Sequence, residues 1–506
     1  MPYRLFSATG LEIARTLGAI IYANPFKAER LELNKRFFEL IRDQGFAGEP
    51  MAVADGKPRN LNIESYIEVS QHLVKDTLAK LRSGSGKKVD AEHLKVYEHL
   101  VYFYLFHWVL EDMDAYILRC LEYPSDNRRW DAFGLLEKKY RECFAPFASV
   151  LSPAYDVDVF ASFCFQIRRT YYHTFHTLKG NSARLNRMRA RVWDSVFTHD
   201  MRRYIRSLYD RMSDIYTLIC GPSGSGKEVV ARCIGLSRYI PFDREQMRFE
   251  RNFTESFHAI NLSALSATLI ESELFGHKKG AFTGALADKI GYFESSGTYG
   301  TVFLDEIGDT DPLVQVKLLR VLQTRQFQRL GDTRTLAFQG KVMAATNVDL
   351  IKAMEKGSFR EDLYYRLCAD QIRTPSLREI LQDEPDELNI LLNYVCMKFA
   401  GEEEGKRLEA ECQDWIRRHM PASYEWPGNF RELEQCVRNI MIHGEYIPHR
   451  REGADGNEWD RIRSGALSMD ELIGYYVRQE YARTPSLAEV GMRLKVDPRT
   501  VKKYLR

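Results

Sequence analysis

Gly221-Pro222-Ser223-Gly224-Ser225-Gly226-Lys227 has the residue types and spacing of a phosphate-binding loop. Glycines let successive backbone N–H groups wrap an anion, and a helix N-terminus adds its positive dipole. The strand-like run 216–220 precedes the loop and Glu228-Val229-Val230-Ala231-Arg232 opens a helix, the context the motif requires. Lys227 is placed to reach terminal phosphates. Position 228 is Glu, which cannot act as the usual hydroxyl ligand of Mg2+. The metal must then rely more on water, phosphate and a second acidic site. Thr301-Val302-Phe303-Leu304-Asp305-Glu306 supplies one: an apolar strand ending in two carboxylates, where open α/β sheets bind ligands. Asp305 is the expected Mg2+ ligand and Glu306 the expected base that polarises an attacking water.

Further polar groups follow at spacings that suit the same chemistry. Ala345-Thr346-Asn347 ends the next apolar run, and Asn347 is placed to sense a γ-phosphate. Arg360 and Arg366 lie six apart in a short helical segment and are candidates for a finger supplied to a neighbour's site. Trp426-Pro427-Gly428-Asn429-Phe430-Arg431 starts a helix, with Arg431 directed back to the nucleotide. Ser83-Gly84-Ser85-Gly86-Lys87-Lys88 mimics half a phosphate loop, but Leu81 stands where the first glycine belongs, so it reads as a surface loop.

These residues need a parallel sheet to gather them. Runs at 216–220, 257–262, 301–306, 341–347 and 370–374 alternate with helical patterns, which means parallel α/β architecture. Residues 1–178 repeat apolar positions at three- and four-residue steps and read as all-helical. The division expected is 1–178 helical N-terminal region, 179–383 α/β core, 384–448 helical lid, 449–466 linker and 467–506 small helical module. The chain has 506 residues, 44% of them apolar, and a net charge of +2, so it is a globular protein and no polycation. Nine cysteines without a CxxC pair fit a reducing compartment. The most apolar run, 100–110, is too short to span a membrane and reads as a buried helix. The start lacks the apolar region of a signal peptide, so a cytoplasmic location is expected.

Glu273-Leu274-Phe275-Gly276-His277-Lys278-Lys279-Gly280-Ala281-Phe282-Thr283-Gly284-Ala285 makes the reading specific. Its GAFTGA segment resembles the signature loop of bacterial enhancer-binding proteins, the AAA+ activators of sigma-54 RNA polymerase. GPSGSGKE, INLSAL, TVFLDEIGD, LLRVLQ, AATN, FREDLYYRL and WPGNFREL match in the family's order, from about 180 to 442. The resemblance implies an AAA+ ATPase, a parallel sheet plus helical lid, using ATP and Mg2+. Glu228 is normal for that family. Asn261 looks like the switch residue that holds Glu306. Gly280, Ala281, Phe282, Thr283, Gly284 and Ala285 would touch sigma-54, with Phe282 and Thr283 at the tip of a mobile loop. Arg360 and Arg366 look like trans-acting arginines, which require a ring, hexameric in this family. Two stretches depart from the family pattern, near 198–214 and 243–256. Both are expected on the outer surface of the ring.

Between Arg483 and Arg506 seven basic residues face two acidic ones. Three short helical segments there resemble the family's helix-turn-helix module for double-stranded DNA. Arg499 and Thr500 are the expected base readers, with Lys502 and Lys503 on phosphate. The N-terminal 178 residues match no sensor type. His173 and His176 share a helix face and are the one metal-binding suggestion there, against packed helix as the plainer reading. A regulator in which nucleotide controls assembly without remodelling sigma-54 polymerase is the alternative function.

Overall fold

The computed structural model describes residues 3–42, 63–83, 89–125, 128–148, 150–421, 423–448 and 467–505. The expected linker 449–466 and the glycine-rich stretch 84–88 lie outside them. Residues Met1–Arg438 form one compact unit and Asn439–Arg506 a second.

Five parallel strands make the central sheet: β1 (Thr217–Cys220), β2 (Phe257–Asn261), β3 (Thr301–Asp305), β4 (Lys341–Thr346) and β5 (Asp370–Arg373), in the order β5-β1-β4-β3-β2. Every predicted run became a strand. The reason is two-sided burial: alternate residues of one strand go to opposite faces, so both alternations must be apolar. Leu218, Val302, Leu304, Val342 and Ala344 face a core with Leu318, Leu322 and Leu363. Ile219, Phe303, Met343 and Ala345 face a second core with Val230 and Ile234.

That second core also contains Phe163, Leu185, Val192, Trp193 and Phe197. They belong to helices α1 (Val157–Thr177) and α2 (Ala183–Phe197). The boundary expected at 178 therefore falls between helices that share one core with the sheet. The rest of the N-terminal region packs around helix Ala91–Trp108, whose residues 100–107 are all buried. Asp90 caps it by accepting from Glu92 and His93 N–H groups.

Both departing stretches bury apolar residues, while Arg202, Arg203, Arg244 and Glu245 on them stay exposed. Phe242, Phe249 and Phe253 are buried in the N-terminal core with Tyr116, Trp130, Phe133 and Phe165. Phe242 stacks on Phe133 at 4.2 Å and Phe249 on Phe165 at 3.8 Å. The earlier stretch forms helix Met201–Ser207 with Met201, Tyr204 and Ile205 buried. Burying that aromatic area requires a partner, and the N-terminal helices are that partner.

The lid comprises helices Leu377–Asp383, Glu387–His419 and Asn429–His443. A break at Gly401 (φ 78°) divides the long middle one. The second unit contains helices Met469–Arg483, Leu487–Leu494 and Pro498–Tyr504 around Val477, Val490 and Val501. Among the described residues no helix is long and apolar enough to cross a membrane.

Candidate active site

The phosphate loop leaves β1 at Gly221 and ends in helix α3 (Lys227–Gly235). Gly224 (φ 74°) and Gly226 (φ 86°) hold left-handed backbone, which glycine adopts without cost. Tight packing reinforces the choice. A Cβ on Gly221 would meet Thr374 Oγ1 at 2.0 Å, and one on Gly224 would meet the Gly428 carbonyl at 2.3 Å. Ser225 Oγ bonds the Pro222 carbonyl and lies 2.6 Å from Thr374 Oγ1. Ser223 is the lid's contact: its carbonyl accepts from Asn429 Nδ2 at 2.9 Å, and its Oγ accepts from Arg431 at 3.2 Å. Arg431 thus touches the loop at Ser223.

Lys227 is buried. Its ammonium donates to the Gly221 carbonyl at 3.2 Å and lies 3.8 Å from Glu306. Glu228 faces solvent and pairs with Arg232 instead of entering the site. Asp305 and Glu306 stand at the C-terminal end of β3, beside the loop. Burial pushes the Asp305 carboxyl above the usual carboxylate range. Glu306 has left-handed backbone (φ 55°), a strained state for a residue with a side chain, and such strain gathers at functional sites. That turn aims its carboxylate at Lys227 and at the Asn347 N–H, 3.3 Å away. The donor set fits a nucleotide with a divalent cation: a glycine-rich loop, the Lys227 ammonium, and the half-buried Asp305 carboxylate, which among the described residues forms no ion pair within 4 Å. Asp305 would hold the Mg2+, which supplies charge neutralisation at the phosphates.

Asn261 departs from expectation. Its carboxamide oxygen accepts from Ser263 N and Oγ, at 3.0 and 2.8 Å, rather than engaging Glu306. The link between the two strand ends is instead backbone: Leu262 N–H donates to the Asp305 carbonyl at 3.0 Å. Arg360 and Arg366 are both exposed. Arg360 is held by Asp362 through two hydrogen bonds, at 2.7 and 3.0 Å. Arg360, at the N-cap, and Arg366, within helix Glu361–Leu367, thus both stand at the surface.

The GAFTGA segment caps a ribbon, Gly276–His277 against Lys289–Ile290, that rises from helix Ala267–Phe275. Lys278 pairs with Asp288 at 2.7 Å across its base. Gly280 N–H donates to the Ala285 carbonyl at 2.8 Å and closes the loop. Thr283 is exposed, but Phe282 is half-buried with its ring 5.0 Å from His277. The apolar group that stands free is Leu286, 84% exposed, which the sequence reading passed over. Its position directly after the GAFTGA segment was the available signal.

In the second unit Asp497 caps helix Pro498–Tyr504 by accepting from Arg499 N–H. Arg499, Lys502 and Lys503 are exposed and Thr500 is partly so. Lys503 lies 3.9 Å from Asp470 and over the Tyr504 ring, so it is less free for phosphate than Lys502. His173 is buried against Phe253, and burial pulls its imidazole down to about 3. Among the described residues no group of three metal-ligating side chains occurs, so the His173–His176 pair gains no support as a metal site.

Residues 195–373 match the family model of the Sigma-54 interaction domain. The Nif-specific regulatory protein of Azotobacter vinelandii is 44% identical over 228 residues, 45% of this chain and 40% of that one. The transcriptional regulatory protein ZraR of Salmonella typhimurium is 41% identical over 243 residues, 47% of this chain and 50% of that one. GlrR of Escherichia coli is 44% identical over 229 residues, 44% and 47% of the two chains. The chain spans about half or less of the length of these curated relatives. The phosphate loop, the acid pair on β3 and the GAFTGA ribbon all lie inside the segment that matches the Sigma-54 interaction domain.

Proposed function

We propose that the chain is a sigma-54-dependent transcriptional activator of the cytoplasm. It binds double-stranded DNA upstream of promoters through residues 467–506. As a ring homo-oligomer, hexameric by family resemblance, it hydrolyses ATP with Mg2+ and remodels sigma-54 RNA polymerase to the open complex. The loop N–H groups and Lys227 hold the phosphates, and Glu306 accepts the proton of the attacking water. Arg360 and Arg366 serve the adjoining subunit. Leu313 (72% exposed) and Val316 on helix Pro312–Thr324 give an apolar face that supports contact between copies.

The observation that carries this reading is the GAFTGA ribbon, rooted in the helix that follows β2. β2 pairs with the acid-bearing β3, so a change at the strand ends has a short path to the loop. Thr283→Ala tests it. ATPase and assembly should persist, because Thr283 makes no part of the phosphate site, while open-complex formation at a sigma-54 promoter is lost. Equal activation by this variant in vitro would leave the assembly-only regulator as the better account.

A further inference from the structure

A cavity of about 240 Å3 lies where α1, helix Met201–Ser207, the end of α3 and the start of β4 meet. Its lining includes no residue of the phosphate loop or of the acid pair. Two cations line it. Lys341, 2% exposed, donates only to the Ile215 carbonyl, at 2.5 Å. Arg238 donates to the Gly300 carbonyl and the Ser213 hydroxyl. Among the described residues neither forms an ion pair with a carboxylate. Asp210 is the acidic group on the lining, and it faces solvent. Burial pulls Lys341 down to about 8, with the Asp370 carboxylate beyond hydrogen-bond reach offsetting only part of it, and pulls Arg238 down to about 10.

The rest of the wall is flat and apolar. Tyr204, Tyr209, Tyr239 and Tyr299 contribute rings, and Val196 and Ile234 contribute aliphatic surface. Buried charges ordinarily have partners, because leaving one unpaired is costly. A cavity with one buried cation, a second half-buried one and aromatic walls is shaped for an anion attached to a compact apolar body. Benzene fits a cavity of roughly 150 Å3, so this volume suits one ring with a carboxylate.

We propose that this cavity binds a small organic monocarboxylate with a single flat apolar body. The carboxylate sits on Lys341 and Arg238 and the body lies among the tyrosines. The site joins three parts: Gln166 comes from the N-terminal helices, Ile234 from the helix of the phosphate loop, and Lys341 from β4, which leads to Asn347. An occupant therefore bears on both the N-terminal docking and the nucleotide site.

Calorimetric titration of the full chain with benzoate tests this without relying on ATPase or transcription, so it stands apart from the functional reading above. Saturable one-to-one binding is expected, with no binding of benzylamine, which carries the opposite charge on the same ring. Lys341→Met should weaken benzoate at least about tenfold, since a charge-assisted bond is lost. Met212→Trp, which fills the cavity from a partly exposed position, should abolish binding. Should Lys341→Met fail to fold, Met212→Trp carries the test alone. No saturable benzoate binding, or equal binding by Met212→Trp, overturns the proposal. Binding of inorganic phosphate with none of benzoate also overturns it, because the apolar walls would then play no part.

Discussion

The two ends of α3 hold their backbone groups in opposite ways. At the N-terminus the phosphate loop keeps its N–H groups clear of side chains, and only Lys227, its own first residue, reaches back. At the C-terminus three successive carbonyls, of Leu236, Ser237 and Arg238, are all taken by side chains of α1. Arg169 donates to Leu236 at 2.8 Å and Arg238 at 2.7 Å, and Gln166 donates to Ser237 at 3.0 Å. A helix leaves donors unmet at one end and acceptors at the other, and the three carbonyls, of the C-cap Leu236 and the two residues after it, extend the acceptor end. One end is left open for an outside anion. The other is closed by a buried guanidinium, which also suits the negative end of the dipole. The open end is where the proposed chemistry would take place, and the closed end is where α1 holds the helix that carries the phosphate loop.

The largest effect expected lies at the open end. Glu306→Gln removes the base but leaves the loop, so ATP binding should persist while turnover falls about 10²–10⁴-fold. Lys227→Ala should lose binding as well, because the ammonium is the loop's one charged donor. Single-turnover hydrolysis beside nucleotide titration separates the two. Near-normal turnover by the Glu306 variant would remove Glu306 from the base role.

At the closed end, Arg169→Met should cost about 2–4 kcal/mol. Two hydrogen bonds from a charged donor are lost, at roughly 1.5–3 kcal/mol each, partly offset because a charge no longer has to be buried. Arg169 is fully buried and its guanidinium lies 4.1 Å over the Phe165 ring. Arg169→Lys should not restore stability, since one ammonium cannot span two carbonyls in a fixed fork. Denaturant unfolding reads this as an earlier first transition. An unchanged midpoint would mean the clamp is dispensable and that the aromatic contacts of Phe242 and Phe249 hold the regions together alone.

How far these ends could be read in advance differs in the same way. The phosphate loop, the five strands and the acid pair follow from rules of short range: glycine freedom, two-sided burial, a polar group after an apolar run. The closed end obeys no such rule. Arg168 and Arg169 are adjacent and alike in sequence, yet Arg168 pairs with Asp114 at 2.6 Å near the surface while Arg169 is buried. Nothing local separates them. Phe242, Phe249 and Phe253 are aromatics in a polar stretch, and the partner of such a stretch is set by tertiary contact. The Phe282 ring is the converse case, in that His277 takes up an anchor that the loop's composition leaves free.

A smaller effect concerns Asp305 and pH. Its folded-state pKa is raised, so the folded chain holds its proton at pH values where the unfolded chain has lost it. Without nucleotide, this group's contribution to stability therefore falls as pH rises through the window between the ordinary carboxylate value and the raised one. A divalent cation needs the ionised form and reverses that preference. Stabilisation by MgATP should weaken on acidification sooner than an ordinary carboxylate would dictate, and Asp305→Asn should remove that part of the pH dependence. Thermal melts with and without MgATP across a pH series check the sign. The same dependence in Asp305→Asn would place the titrating group elsewhere.

The contrast between open and internally satisfied groups recurs in the second unit, where the expected effect is smallest. Lys502 and Lys503 are adjacent on one short helix, and both were expected on phosphate. Each phosphate contact contributes about 0.9 to the log–log salt slope of DNA binding. Lys503 already has Asp470 at 3.9 Å and the Tyr504 ring at 4.7 Å, whereas Lys502 is exposed with no ion pair among the described residues. To meet DNA, Lys503 must first give up those contacts. Lys502→Ala should therefore flatten the slope by nearly one, and Lys503→Ala by clearly less. Asp470→Asn should then move Lys503 towards Lys502, because the competing carboxylate is gone. The affinity ratio between specific and random sites should stay constant in all three, since phosphate contact carries no sequence. A change in that ratio for Lys502→Ala would shift Lys502 to base reading, the role expected of Arg499 and Thr500 nearer the helix N-terminus.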